Sequence, residues 1–256
     1  MVKGPAKLLQ EIKRLGGAAQ SPVVREIRAR GYHVEPHFLS PTLCAEFVSL
    51  IDEMIAAHPD KVQHEEVEGT SGDYRLFGPE SDSPLLKRSV ADDPWLQTIA
   101  RGYLGENVVT HFILANKVVH TPGRASNSGA GWHRDSGRRQ FKAIVYLNDV
   151  SHDNGPFTII PDSRDLHMPP REGARNPHRF DDETVREVAR KNNADIVEIV
   201  GGAGTCVLAD TSHIHRGKDI ESGVRYALTN YYFEDTAARR AKTQAKWGAY
   251  LLNPVA

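Results

Sequence analysis

A chain of 256 residues is long enough to bury a substantial core without disulfide or metal staples, in one large domain or two small ones. Its 32 Lys and Arg against 33 Asp and Glu leave a net charge of −1, so neither nucleic acid nor an anionic membrane surface gains a long-range attraction from the chain as a whole. Two separated cysteines, Cys44 and Cys206, cannot build a disulfide framework, and no apolar run approaches the ~20 residues of a membrane span. A soluble protein of a reducing compartment, the cytoplasm, is expected.

Met1 to Gly17 places Leu8, Leu9, Ile12 and Leu15 at helical spacing with lysines opposite, which reads as a surface helix. It lacks the continuous apolar stretch of a secretory signal. Ser21-Pro22 and Ser40-Pro41 are helix starts, a cap followed by proline in the first turn, and Gly31 is a stop for the first. Leu43, Phe47, Leu50, Ile51, Met54 and Ile55 then form an apolar stripe of period 3.6 that needs a broad surface to pack on. Residues 1–106 are therefore expected to be a mostly helical flank.

From Asn107 the character changes to strands. Val108 to His120 is rich in β-branched and aromatic residues. Gln140 to Val150 alternates, with Phe141, Ala143, Val145 and Leu147 on one face and Lys142, Ile144, Tyr146 and Asn148 on the other. Asn154-Gly155 is a turn, and Phe157 to Ile160 returns from it. Residues 164–180 read as a long loop, and Asp181 to Asn193 as a helix. Three more strands are predicted at Ile196–Val200, Thr205–Leu208 and Val224–Phe233. The glycines at 201–204 fall between two of them and read as a hairpin turn rather than a phosphate loop. With no internal repeat, this describes a single domain over 1–256. It is mainly β with flanking helices, its core over 107–235 a jelly roll.

The chemistry concentrates in Gly131-Trp132-His133-Arg134-Asp135. Side chains two apart on an extended backbone point the same way, so His133 and Asp135 can reach one cation. Alone, His-x-Asp is common by chance. A second segment strengthens it: Asp210-Thr211-Ser212-His213-Ile214-His215-Arg216-Gly217 follows a strand and offers a third ligand in His213 or His215. Two histidines and one carboxylate on one face of an octahedron leave three positions for cosubstrate and O₂, the arrangement of non-haem Fe(II) oxygenases. Arg225, on the next predicted strand, supplies a fork-shaped cation for the distal carboxylate of 2-oxoglutarate.

The chain resembles the phytanoyl-CoA dioxygenase family of Fe(II)/2-oxoglutarate oxygenases. The resemblance rests on Gly31-Tyr32-His33-Val34, Trp132-His133-Arg134-Asp135, Asn154-Gly155-Pro156-Phe157, Ile160-Pro161-Asp162-Ser163-Arg164 and His215-Arg216-Gly217 through Arg225-Tyr226-Ala227. It implies a double-stranded β-helix of the cupin-like kind, with His133, Asp135 and His215 as iron ligands and Arg225 as the 2-oxoglutarate anchor. It also implies a small-molecule substrate oxidised with release of succinate and CO₂. A carboxylate at Asp135 implies hydroxylation, or desaturation or epoxidation, rather than halogenation. Where several members place a serine two residues after the distal histidine, this chain has Gly217, so another cosubstrate contact is expected. Thr158 is the first candidate and Asn116 and Tyr146 are further helpers. The family's Pro-Gly-Ser-His run is here Pro161-Asp162-Ser163-Arg164.

Two other readings stay open on sequence: a non-redox metal enzyme on the same barrel, and a binding module descended from an oxygenase. Trp132 fits a packing role as well as a pocket wall, and Cys206 reads as core. Arg164, Arg171, Arg175, His178 and Arg179 read as a solvated loop, or else as a lid over an anionic or polyhydroxylated substrate.

Overall fold

The computed structural model describes residues 21–64, 72–122, 131–169 and 177–254; the helix expected over Met1 to Gly17 lies outside them. Helix α1, Pro22–Arg30, starts with proline in its first turn and ends at Gly31, whose N–H donates to the Ile27 carbonyl at 2.8 Å. Gly31 has φ +86°, and a Cβ there would stand 2.7 Å from the His213 ring. Glycine therefore serves both the left-handed stop and the close approach. Strand β1, Tyr32–Glu35, follows at once.

Helix α2, Pro41–Ala57, is capped by Ser40, whose Oγ accepts from the Leu43 N–H at 3.2 Å, an interaction of about 1 kcal/mol. Helix α3, Pro94–Leu104, is capped likewise by Asp93. The buried faces of these helices, including Phe47, Ile51, Trp95 and Ile99, form one core with Phe141, Ala143, Val145 and Leu228. That is the broad surface the stripe in α2 required: the outer face of a sheet.

The sheet has seven strands. Besides β1 these are β2 (Gln63–His64), β3 (Gly72–Phe77), β4 (Val108–Val119), β5 (Phe141–Tyr146), β8 (Cys206–Asp210) and β10 (Val224–Glu234), in the spatial order β1-β8-β5-β10-β4-β3-β2 with every neighbour antiparallel. A second sheet, β7-β6-β9, is built from β6 (Phe157–Ile159), β7 (Val197–Ile199) and β9 (His215–Gly217). The expected jelly roll is these two antiparallel sheets. Three strands of the larger one, β1 to β3, come from the segment expected to be a helical flank, so the sheet does not begin at residue 107. The glycine run at 201–204 joins β7 of the small sheet to β8 of the large one; it crosses between sheets and is not a hairpin.

Two more helices of ten residues or longer lie among the described residues. Helix α4, Asp182–Lys191, lies where a helix over Asp181 to Asn193 was expected, and it is capped by Asp181. It packs with Trp132, Ile160, Phe180 and Ile214. Trp132 is thus a packing residue, with the Arg216 guanidinium over its ring at 4.5 Å. Helix α5, Ala237–Trp247, is capped by Thr236 and was not anticipated. Cys44 and Cys206 are buried free thiols. Among the described residues no helix is long and apolar enough to cross a membrane.

Candidate metal centre

His133 and His215 face each other across a short antiparallel bridge. The His133 N–H donates to the His215 carbonyl at 2.9 Å, and the His215 N–H returns to the His133 carbonyl at 3.0 Å. Asp135 follows two residues on, its N–H held by the Thr211 carbonyl at 2.9 Å. The His-x-Asp segment is therefore stitched to the edge of β9 by backbone bonds, and the strand alternation turns both side chains to one side.

Among the described residues this is the cluster able to take a metal: one ligand atom from each of His133, Asp135 and His215 lies within 4.8 Å of the others. Both imidazoles are held by their far nitrogens. His133 Nδ1 meets the Gly131 carbonyl at 2.7 Å and His215 Nδ1 the His213 carbonyl at 2.9 Å. A carbonyl only accepts, so each Nδ1 carries the proton and each Nε2 is left with a lone pair. Those Nε2 atoms stand 3.7 and 3.9 Å from Asp135 oxygens.

The electrostatics favour the ligand forms. Burial, reinforced by the neighbouring His133, pulls His215 down to about 3, and burial lowers His133 as well. Burial alone would raise the Asp135 carboxyl, but Lys142, followed by the two histidines, holds it well below the usual carboxylate range. The Lys142 ammonium lies 2.5 Å from Asp135 Oδ2 and 3.3 Å from the Tyr231 hydroxyl. Burial opposes that charge, yet Asp135 and then Tyr231 raise it above the ordinary lysine range. Asp135 Oδ2 is held against that ammonium, while Oδ1 stands 3.7 Å from His133 Nε2. Two neutral imidazoles and an ionised carboxylate fit a divalent cation such as Fe(II).

The cluster opens onto a cavity of about 670 Å³ between the sheets. Arg225 lines it, buried on β10. Its Nη1 donates to the Gly155 carbonyl and its Nη2 to Asn116 Oδ1 at 3.2 Å. Its Nε has no partner, an open donor suited to a carboxylate. Gly155 has φ +69°, and a Cβ there would meet the Lys218 carbonyl at 2.7 Å, so the Asn-Gly turn delivers that carbonyl to the guanidinium. Asn116 in turn donates to Asp73 Oδ1 at 2.5 Å, and Asp73 Oδ2 accepts from Arg75 Nε at 3.1 Å.

The other candidates divide. Asn116, a candidate cosubstrate contact, lines the cavity, but its amide is engaged within the protein: Oδ1 accepts from Arg225 Nη2 and Nδ2 donates to Asp73 Oδ1. Tyr146 lines the cavity, but its hydroxyl is committed: it donates to the Ile199 carbonyl and accepts from the Phe157 N–H, both at 2.9 Å, and burial pushes it up to about 12. Thr158 does not reach the cavity. It pairs with Arg216 across the small sheet, while His215 pairs with Ile159 and Gly217 with Phe157. Strand parity puts it on the opposite face, where its hydroxyl donates to the Pro156 carbonyl. His213 does not reach the cluster; its Nδ1 contacts the Asp210 carbonyl at 3.2 Å. Of the charged loop, Arg179 reaches the cavity and Arg164 pairs with exposed Asp165, while Arg171 and Arg175 lie outside the described residues.

Sequence reasoning missed Lys142, although it shares a strand face with Tyr146, and it missed Asp73 and Arg75, which occupy alternate positions of β3. It also missed α5, whose Arg239, Lys242 and Lys246 line the cavity.

The family profile described as Phytanoyl-CoA dioxygenase (PhyH) matches residues 27–225. The chain belongs to that family. As a member of the phytanoyl-CoA dioxygenase family it is an iron- and 2-oxoglutarate-dependent oxygenase. No curated protein matches it by sequence. Solved structures share its fold. The epimerase SnoN in complex with Fe3+, alpha-ketoglutarate and nogalamycin RO is 18% identical with a TM-score of 0.67, covering 89% of this chain and 85% of its own. EctD from S. alaskensis with 2-oxoglutarate and 5-hydroxyectoine is 22% identical with a TM-score of 0.63, covering 82% and 74%. AviO1 from Streptomyces viridochromogenes Tue57 is 20% identical with a TM-score of 0.56, covering 84% and 94%.

Proposed function

We propose that His133, Asp135 and His215 hold Fe(II), that Arg225 seats the distal carboxylate of 2-oxoglutarate, and that a small organic substrate is hydroxylated in the same cavity. One observation carries the reading: both histidines are tied through Nδ1 to backbone carbonyls, so their Nε2 lone pairs converge with an ionised carboxylate. When bound, Fe(II) with 2-oxoglutarate and O₂ supplies the oxidising power, leaving succinate and CO₂ beside the oxidised product. The protein's part is ligand geometry, charge and exclusion of water. His133 and His215 offer neutral imidazoles without a proton to displace. Arg225, steadied by Gly155 and Asn116, presents its free Nε. Asp73 and Arg75 hold Asn116 in turn, and the two sheets keep the reacting centre away from bulk solvent. Gly217 leaves its place without a hydroxyl, and no contact there is needed in this reading. The two free buried thiols fit a reducing compartment, and we assign the protein to the cytoplasm.

The test is succinate formation from 2-oxoglutarate under air with Fe(II) added anaerobically, comparing wild type with His133→Ala and Arg225→Ala. Binding of 2-oxoglutarate to the iron-loaded protein is measured alongside. Succinate from wild type that both variants lose is the expected result. Failure of the iron-loaded wild type to bind 2-oxoglutarate would overturn the proposal.

A further inference from the structure

The cavity carries far more positive charge than its cosubstrate uses. Eight Lys and Arg side chains line it against two carboxylates, Asp73 and Asp135. Four of the eight are engaged within the protein: Arg225 with Gly155 and Asn116, Lys142 with Asp135, Arg75 with Asp73, and Arg134 with the Ser163 and Leu166 carbonyls. That leaves Arg179 and three residues of α5, Arg239, Lys242 and Lys246. They recur at the spacing of one helix face. Among the described residues none of these three lies within ion-pair distance of a carboxylate, whereas Arg240, on the other side of the helix, is paired with Asp235 at 2.5 Å. Lys242 and Lys246 are exposed and Arg239 is half-buried; what desolvation Lys246 meets lowers it, and although Asp135 attracts its charge, Lys142, Arg239 and Lys242 lower it further. Crowded cations of this kind favour an anion between them.

The wall beneath the cations is aromatic. Tyr231, Phe233 and Trp247 line the cavity beside α5. The Arg239 guanidinium lies 3.8 Å over Phe233, the Lys246 ammonium 4.2 Å over Trp247 and the Lys142 ammonium 4.4 Å over Tyr231. Such pairs hold the cations against ring faces, and the rings pack on one another and on Phe112, which makes this side of the cavity a rigid aromatic wall. A neutral apolar substrate would gain nothing from the charge, and a bare inorganic anion nothing from the rings.

We propose that the substrate is a small organic anion, an apolar or aromatic body bearing a carboxylate or phosphate, held by Arg239, Lys242 and Lys246 at the mouth with its body on Tyr231, Phe233 and Trp247. The cavity is of a size that takes one compact molecule beside the cosubstrate. This rests on the proposed function, because it places the reacting carbon at the same metal cluster.

The experiment uses the full chain loaded with Fe(II) and saturating 2-oxoglutarate under argon, so that the Arg225 site is already filled. Binding of 1-naphthyl phosphate, 1-naphthoate and neutral 1-naphthol is measured by titration calorimetry at low and high salt. At least one anion is expected to bind tenfold or more tightly than the phenol, and the margin should narrow in high salt, where the charges are screened. The stronger of the two identifies the anionic group. Lys242→Glu combined with Lys246→Glu, checked for folding by its melting curve, should abolish the preference. No preference for either anion, absence of binding included, or a preference that survives the double reversal, would overturn the inference. Prior 2-oxoglutarate binding to wild type, lost in Arg225→Ala, separates that failure from failure of the proposed function.

Discussion

Replacing Lys142 by methionine keeps most of the side chain's unbranched length and removes the charge beside Asp135. In the metal-free protein the carboxylate would then stand next to two neutral imidazoles with no countercharge. Breaking a buried ion pair at one partner costs about 3–5 kcal/mol. The Asp135 side chain keeps 19% of its exposure, and that access to solvent sets the expected loss near the lower end, about 3 kcal/mol. In a chain of this size it corresponds to a fall in Tm of roughly 6–12 °C. A divalent ion on Asp135 supplies the missing charge and turns the wild-type ammonium into a like-charge neighbour. The loss should therefore shrink below about 1 kcal/mol when metal is present. By linkage the difference, about 2 kcal/mol, appears as roughly 30-fold tighter metal binding in the variant. Thermal unfolding of both proteins in chelator and in excess Co(II), with a Co(II) titration alongside, measures every leg of the cycle. An equal loss of stability with and without metal would refute the reasoning and leave Lys142 a packing residue.

Asn116→Ala removes the acceptor that steadies Arg225 Nη2, a hydrogen bond to a charged group worth about 1.5–3 kcal/mol; 2-oxoglutarate affinity should fall at least tenfold while Co(II) affinity holds, and calorimetry with each ligand separates the two. His215, held at about 3 against an ordinary value of about 6.5, stays neutral throughout the working range. Metal affinity should therefore lose nothing to its protonation between pH 7.5 and 5.5, where an ordinary imidazole would lose about tenfold. The same depressed value stabilises the fold fully above about pH 6.5, and that contribution drains away as pH falls towards 3, so the chelated protein should lose about 1.4 kcal/mol for each unit below 6.5 from this group. A melting temperature of the chelated protein unchanged between pH 7.5 and 5.5 would contradict the assignment. Gly155→Ala places a Cβ 2.7 Å from the Lys218 carbonyl at a positive φ; about 1–3 kcal/mol of stability should be lost together with 2-oxoglutarate affinity, and a variant that binds the cosubstrate normally would show that the turn does not set the guanidinium.

Elements whose alternation separates oil from charge were legible, and β3, where that contrast fails, was not. β5 could be read because Phe141, Ala143 and Val145 contrast with Lys142, Ile144 and Tyr146, and α2 because its stripe is continuous. β3 resembles neither pattern. Asp73, Arg75 and Phe77 face inward and Leu76 is buried behind them, so its polar side is the inside of the barrel, whereas alternation rules take polar residues to face solvent. The juxtaposition of His133 and Asp135 was legible because His-x-Asp needs only local parity. Thr158 was misplaced because parity on β6 depends on register with β9, and the pairing of Ile159 with His215 is decided by tertiary structure. The net charge of −1 carries no position, so the lining of eight Lys and Arg against two carboxylates became visible only in the fold.

The cavity rests on a division of labour between the sheets. The small sheet and the segment stitched to it carry the proposed metal ligands; the large sheet carries Arg225, Asn116 and Lys142. Neither sheet alone forms the proposed site, so the distance between the His133, Asp135 and His215 cluster and Arg225 depends on what ties the sheets together. Tyr146 is one such tie. It rises from β5 of the large sheet, and its hydroxyl accepts from Phe157 of β6 and donates to Ile199 of β7, joining two strands of the small sheet through one buried oxygen. The Arg225 bond to Gly155 is another, since the turn carrying Gly155 leads directly into β6. Both ties converge on the Asn-Gly-Pro-Phe segment, which contributes no ligand of its own. In this architecture the segment's distinctive residues serve the spacing of the reacting groups, and the reacting groups themselves sit on the strands either side of it.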